Sequence, residues 1–217
     1  MTEALQITVT APVMSFRDRL YDGVQAGLPC PPPSTTGGFL ASAMGSWRRT
    51  PPGTRFAMAF TARGSGTDLE TYHPLDARSA ASSPTPRERP FLADATLTIW
   101  LVSDLGLWEA AMRRPVWPMR FGRSQDLAAA RTRRLALGTG NGFQGQAIVP
   151  ASMSNAGTLL RLPVVISEDR SRTRWGEFRY AATGSAHEIS GDYVTPDGQA
   201  IFLLPPVHPN GLGAVAS

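Results

Sequence analysis

At 217 residues the chain can bury one good core, or one core with a modest extension, and it reads as a compact unit with appendages. It is basic, with 21 Lys+Arg against 17 Asp+Glu, and every cation is an arginine, so a Walker-type phosphate loop and any lysine-based mechanism are excluded. A single cysteine, Cys30, excludes an internal disulfide and a cysteine-rich zinc site and fits a reduced, cytoplasmic setting. No apolar run approaches roughly eighteen residues and the first residues do not resemble an export signal, so the expectation is a soluble protein with no membrane partner.

Leu5, Ile7, Val9 and Ala11 alternate with Gln6, Thr8 and Thr10, the period of a strand with one face on a core. After the run Pro29 to Pro33, Ser34 or Thr35 can cap a helix in which Phe39, Leu40, Ala43, Met44 and Trp47 recur at helical spacing, ending near Arg48 and Arg49 before Pro51. Phe56, Met58 and Phe60 form a second strand, and Leu97, Ile99 and Leu101, with Trp100 on the opposite face, a third. Residues 63–90 between them are crowded with Gly, Ser, Pro and Arg, and an excursion of that length exceeds an ordinary hairpin loop, which points to function. Asp104 caps a second helix lined by Leu105, Trp108, Ala111 and Met112 and stopped by Pro115; Val116 to Phe121 follows as a short strand, placed at a sheet edge by Pro118.

The expected fold class is therefore α+β: a ferredoxin-like (RRM-like) βαββαβ unit over residues 1–125, with a long excursion between its second and third strands. Both helices would lie on one face of an antiparallel sheet, leaving the other free to bind. Residues 126–217 read as a Gly-rich loop and a β-rich C-terminal extension, with a strand at Leu159 to Ile166, a hairpin around Ser171 to Tyr180, and a last strand at Ala200 to Leu204 after a turn at Asp197 and Gly198.

From Arg113 to Arg134 seven arginines face the single acid Asp126, across a helix end, a strand and a loop. Such a run reads either as a solvated basic surface or as a phosphate-tracking footprint, and Arg120 lies within it. Gly140 to Gly145 matches GxGxxG literally, yet no helix opens after it to hold a pyrophosphate, which leaves a flexible connection or a loop whose backbone, at Gly140, Asn141 and Gly142, approaches phosphate. His73, His187 and His208 lack metal-ligand spacing, so neither metal nor cofactor is expected. Tyr72 and His73 stand together as the one candidate acid–base pair for a metal-independent endoribonuclease; the other reading of the pair is packing or base stacking.

Four local patterns, in order across residues 1–125, carry a resemblance. They are Ser15-Phe-Arg17 followed by Pro31-Pro-Pro-Ser-Thr-Thr-Gly-Gly38 and Leu40-Ala41; Thr71-Tyr-His73; Arg89-Pro-Phe-Leu-Ala-Asp-Ala95; and Pro118-Met-Arg-Phe-Gly-Arg-Ser124. Together they resemble the Cas-five family of the RAMP superfamily, the subunit that holds the 5′ end of the guide RNA in type I CRISPR Cascade complexes. The resemblance implies that the excursion 63–90 acts as a thumb against the neighbouring subunit and the RNA. It implies RNA contacts at Ser15, Arg17 and Arg19, at Ser34, Thr35, Thr36, Gly37 and Gly38, at Arg87 and Arg89, and at Arg123 and Ser124, with Arg123 weightier than Arg113. It further implies the crRNA 5′ handle, a backbone subunit and a large subunit as partners, and target DNA indirectly, in antiviral defence. Some members of that family cleave precursor RNA with a Tyr, Lys and His constellation, which a lysine-free chain does not reproduce, and Phe16 stands where another branch has Trp. Both departures favour a non-catalytic subunit of the I-A or I-B kind. An endoribonuclease using Tyr72 and His73 is the alternative, and a small-molecule binder on the sheet is a third reading.

Overall fold

A computed structural model describes residues 1–18, 26–72 and 85–212. The chain opens with β1 (Thr2–Met14), α1 (Pro33–Met44), β2 (Ala57–Tyr72), β3 (Thr85–Leu101), α2 (Leu105–Arg113) and β4 (Ala129–Leu137). Their four strands form one antiparallel sheet in the order β2-β3-β1-β4. Period-two alternation drives Leu5, Ile7 and Val9 of β1, Met58 and Phe60 of β2, and Leu97, Ile99 and Leu101 of β3 onto one face. There they are all but fully buried against Phe39, Leu40 and Ala43 of α1 and Trp108 and Met112 of α2.

Both helices start without the side-chain caps expected of them. Helix α1 begins after Pro32 with Pro33 at its first position, where a missing N–H costs nothing, and Ser34 and Thr35 lie inside its first turn. Asp104 does precede α2, but with φ 53° and no cap hydrogen bond from its carboxylate. Helix α1 stops at Gly45, whose φ of 98° provides the left-handed turn that a glycine adopts without strain.

Two expectations need correction. The fourth strand does not lie at Val116 to Phe121: that segment is strapped to the end of α1, with the Val116 amide donating to Ala43 O at 3.1 Å, and the strand paired with β1 is Ala129–Leu137, from Thr2↔Leu137 to Thr10↔Ala129. Its sequence hides it, because arginines fall on both faces; Arg133 donates to Gln6 on one side while Arg134 pairs with Glu109 of α2 on the other. The excursion itself is a hairpin over its described residues, with 73–84 lying outside them. Beyond the core sheet β2 and β3 continue as a two-stranded ribbon paired from Ala62↔Ala95 to Tyr72↔Thr85. Gly66 is needed there, because a Cβ would sit 2.6 Å from the Phe91 ring that crosses it. Finally, the second sheet face is not left open along its whole length. Ala4, Ala57, Ala59, Trp100 and Leu137 are covered by Ala147, Val149, Ile189, Ala200, Ile201 and Leu203 of the C-terminal half.

That half consists of β5 (Asn141–Phe143), β6 (Val149–Pro150), β7 (Thr158–Ile166), β8 (Thr173–Tyr180), β9 (Glu188–Ser190), β10 (Tyr193–Val194) and β11 (Ala200–Ile201). β5 pairs with β9, β10 with β11, and β6-β8-β7 form a small sheet whose β7 lies against α1. The half is sewn to the edge of β2: Phe60 N donates to Gln146 O, Ile148 N to Met58 O, and Leu204 N to Phe56 O. The Tyr180 hydroxyl adds a buried bond to Phe60 O at 3.0 Å. No described helix is long and apolar enough to cross a membrane.

Candidate nucleic-acid interface

Beyond β1 the chain reverses so that Asp18 N meets Ala26 O and Leu28 N meets Phe16 O. Phe16 is the anchor of this turn, buried edge-on against Phe60 and Phe121. Ser15 and Arg17 flank it and face outward: the Ser15 hydroxyl donates to Pro90 O at the base of the ribbon, and Arg17 is exposed with no ion pair among the described residues.

Against this turn packs the loop 121–126. Gly122 has a φ of 110°, and a Cβ there would lie 2.8 Å from Ser15 O and 2.9 Å from Ser15 N, so the two backbones touch only because residue 122 is glycine. Asp126, buried, accepts from the Arg123 amide at 2.9 Å and from its Nε at 3.3 Å. The same guanidinium reaches Glu70 at 2.6 Å and Asp68 at 3.6 Å on the ribbon, and Arg89 closes the cluster on Glu70 at 2.7 Å. Burial acts to lower the pKa of Arg123, but the charge of Asp126 and the hydrogen bonds to Asp126 and Glu70 outweigh it and leave the pKa raised. With its side chain only 10% exposed and three carboxylates around it, Arg123 clamps the loop to the ribbon.

The start of α1 divides by face. Thr36 is fully buried and Gly37 packs beneath Val207, so both face inward. Ser34, Thr35 and Gly38 lie on the opposite side and line a cleft of about 750 Å³, together with Arg17, Gly122 and Arg170. Arg170 sits at the tip of the β7–β8 hairpin, where Asp169 accepts from the Ser167 and Ser171 hydroxyls and the Ser171 amide; those bonds pull its pKa down to about 2. A second cleft of about 650 Å³ shares Thr35, Gly38 and Gly122 with the first and runs along the outer face of α1, past Trp117 and Arg120. The two clefts make one groove, bordered by the exposed arginines 17, 120 and 170, none of which is ion-paired among the described residues. Among the described residues, Glu168 is the one carboxylate on its walls.

Of the expected site residues, the fold thus brings together Ser15, Arg17, Ser34, Thr35, Gly38, Arg89, Arg120 and Arg123. Ser124 is exposed on the same loop, and Arg87 is exposed on the ribbon, facing Glu70 across the strand pair. Thr36 and Gly37 point away from the groove. Gly140, Asn141 and Gly142 do not line it; Gly140 turns the chain with a φ of 120°, Asn141 and Gly142 belong to the β5–β9 pairing, and a Cβ at Gly142 would lie 2.6 Å from Gly198 O, so that glycine admits a neighbouring segment. Arg19 and His73 lie outside the described residues, as does the side chain of Tyr72. Trp117 and Arg170 were missed: a tryptophan between two prolines and an arginine in an acidic turn carry no signal of nearness to α1. Among the described residues no group of three or more His, Cys, Asp or Glu could hold a metal ion.

A family model described as "CRISPR-associated protein (Cas_Cas5)" matches residues 4–181. No protein with a curated description matches. Among solved structures, a chain of a "CRISPR RNA-guided surveillance complex" is similar at 20% identity and a TM-score of 0.55, with 84% of this chain and 91% of that one covered. A CRISPR protein from Archaeoglobus fulgidus is similar at 13% identity and 0.54, covering 94% and 99%. A chain of a Type III-B Cmr-beta complex bound to cognate target RNA and AMPPnP is similar at 10% identity and 0.54, covering 85% and 86%. At these identities the likeness is one of fold.

Proposed function

We infer the function from the premise that this chain belongs to the CRISPR-associated protein (Cas_Cas5) family: it is a non-catalytic subunit of a type I Cascade effector complex that binds and caps the 5′ handle of the guide RNA. The observation that supports this most is the groove over α1. The N–H of Ser34 and the side chain of Thr35 at the helix start, a bare Gly38, and three cationic side chains with no ion pair among the described residues line one continuous path. That is the mixture single-stranded RNA requires, backbone donors and cations for phosphate with open surface for splayed bases.

We read the sheet order β2-β3-β1-β4 with two helices on one face as the ferredoxin-like RAMP unit, its fourth strand taken from residues 129–137 and the remainder serving as the β-rich extension. The β2–β3 ribbon is the thumb that lies against a backbone subunit, and the large subunit abuts the same assembly. Arg17, Arg120 and Arg170 are the phosphate contacts in this reading. Arg123, Arg89 and Ser15 hold the thumb base and the groove wall in register.

The test is RNA capture. Purified with its complex from the host, the protein is expected to protect a guide RNA at its 5′ end, and Arg17→Ala with Arg170→Ala is expected to release that end to exonuclease. Full protection in the double variant refutes the groove assignment. Cleavage of a labelled repeat RNA in chelator by the purified chain, abolished by His73→Ala, would overturn the non-catalytic reading.

A further inference from the structure

We propose that Trp117 and Arg120 form a single-nucleotide subsite, the indole stacking on a base and the guanidinium holding the adjoining phosphate, with Gly38 as the floor. The proposal deepens the RNA-binding reading and rests on it.

Trp117 is 57% exposed, a large apolar area to leave in water, yet it is not a loose surface side chain. Its indole N–H donates to Gly45 O at 2.8 Å, and the preceding Val116 amide donates to Ala43 O at 3.1 Å. These bonds satisfy carbonyls at the end of α1 and fix the ring beside the helix. The ring's polar atom is thus spent on the protein, while its flat surface lines a cleft of about 650 Å³, a size within the range of small-ligand sites.

Among the described residues, Arg120 is the only ionisable side chain of that cleft and no carboxylate lines it. The contrast with Arg123, three residues on, is informative: one guanidinium is enclosed by three carboxylates and the other is exposed with no ion pair among the described residues. An uncompensated cation beside a rigid aromatic face fits an anionic ligand that carries a flat ring.

Gly38 is the independent observation. Glycine weakens a helix interior, and its use there ordinarily reflects close packing. Gly37 has such a reason, packed beneath Val207; at Gly38 a Cβ would meet nothing within 4 Å. The bare position opens onto both clefts, where it lets a planar group approach the helix backbone. Because the clefts share Thr35, Gly38 and Gly122, a strand with one phosphate per unit can run from Arg170 and Arg17 to Arg120. A peptide without acidic residues would leave these cations without counter-charges, whereas every nucleotide of the strand brings one.

The test uses the full chain and a labelled single-stranded RNA of about eight nucleotides taken from the repeat-derived 5′ segment, with an abasic version of the same sugar–phosphate chain. Trp117→Phe and Trp117→Leu both lose the bond to Gly45, but only the leucine variant loses the aromatic face. Trp117→Phe is expected to keep the wild-type affinity for the base-bearing RNA, and Trp117→Leu to weaken it by about tenfold or more, without changing the already weaker binding of the abasic strand. Arg120→Ala is expected to weaken both strands and to flatten the salt dependence. Equal affinities of the phenylalanine and leucine variants, or equal binding of both strands by the wild type, would overturn the subsite. If binding depends on Arg17 and Arg170 but ignores Trp117, the subsite alone falls and Trp117 is a helix strap or a protein contact. If the wild type binds neither strand at low salt, the RNA reading falls with it.

Discussion

Individual arginines in this chain have divided labour, and their exposure separates the roles. Arg123 is enclosed with Asp126, Glu70 and Asp68, so Arg123→Ala leaves a buried Asp126 carboxylate without its cation. The expected loss is about 2–4 kcal/mol of stability, read by denaturant titration. Arg120→Ala, at an exposed side chain, is expected to leave the midpoint unchanged. Other arginines clasp main chain: Arg55 donates to Leu203 O, Arg174 to Pro206 O and Arg172 to Leu212 O, tying down the C-terminal segment. Asp169 offers a pH test at the same scale. Its pKa is about 2 in the fold against an ordinary 3.8, so its contribution is fully present above about 3.8 and is lost as pH falls through about 2. A carboxyl titration followed by NMR is expected to show that low midpoint, and Ser171→Ala to raise it; a midpoint near 4 in the native protein would contradict the hairpin geometry.

Among the elements, α1 and the 121–126 loop carry opposite glycine logic. Gly38→Ala meets no steric obstacle and improves helix propensity, so it is expected to raise stability by about 0.5–1 kcal/mol while weakening RNA binding. Gly122→Ala must both adopt a φ of 110° and drive a methyl into the Ser15 backbone, and is expected to cost about 2–3 kcal/mol. Thermal unfolding of the two variants is expected to move in opposite directions. Cys30, fully buried with its thiol pKa pushed well up by desolvation, is expected to resist alkylation until the fold opens.

Taken as a whole, the molecule is a sheet-and-helix layer locked by a β-rich half that covers one end of the second sheet face and seals the inner side of α1 through Val207 and Leu204. Val207→Asp is expected to unseat this lid and shift the protein toward aggregation in size-exclusion chromatography, because it places a carboxylate against Gly37 and Trp47. Binding by the groove is expected to weaken steeply with salt, since its cations meet phosphate in solvent, whereas stability is expected to be less salt-sensitive because the Arg123 cluster is largely buried.

The sequence by itself determined the elements in which one side-chain period dominates. β1 could be read because Leu5, Ile7 and Val9 alternate with polar residues, and both helices because Phe39, Leu40 and Ala43, or Trp108 and Met112, recur on one side. It also yielded the motif residues Ser15, Arg17, Ser34, Thr35 and Arg120 that the groove unites. What tertiary structure alone decided lies where no local period exists. β4 is a strand because β1 offers a free edge to an arginine-rich segment, and residues 62–72 and 85–95 pair because each templates the other despite their glycines and prolines. The split between Thr36 and Gly37 facing the core and Ser34, Thr35 and Gly38 facing the groove came from Val207, about 170 residues along the chain. The difference between Arg123 and Arg120 is likewise tertiary, because which guanidinium meets a carboxylate depends on where Glu70 and Asp68 arrive in space, and spacing along the chain carries no record of that.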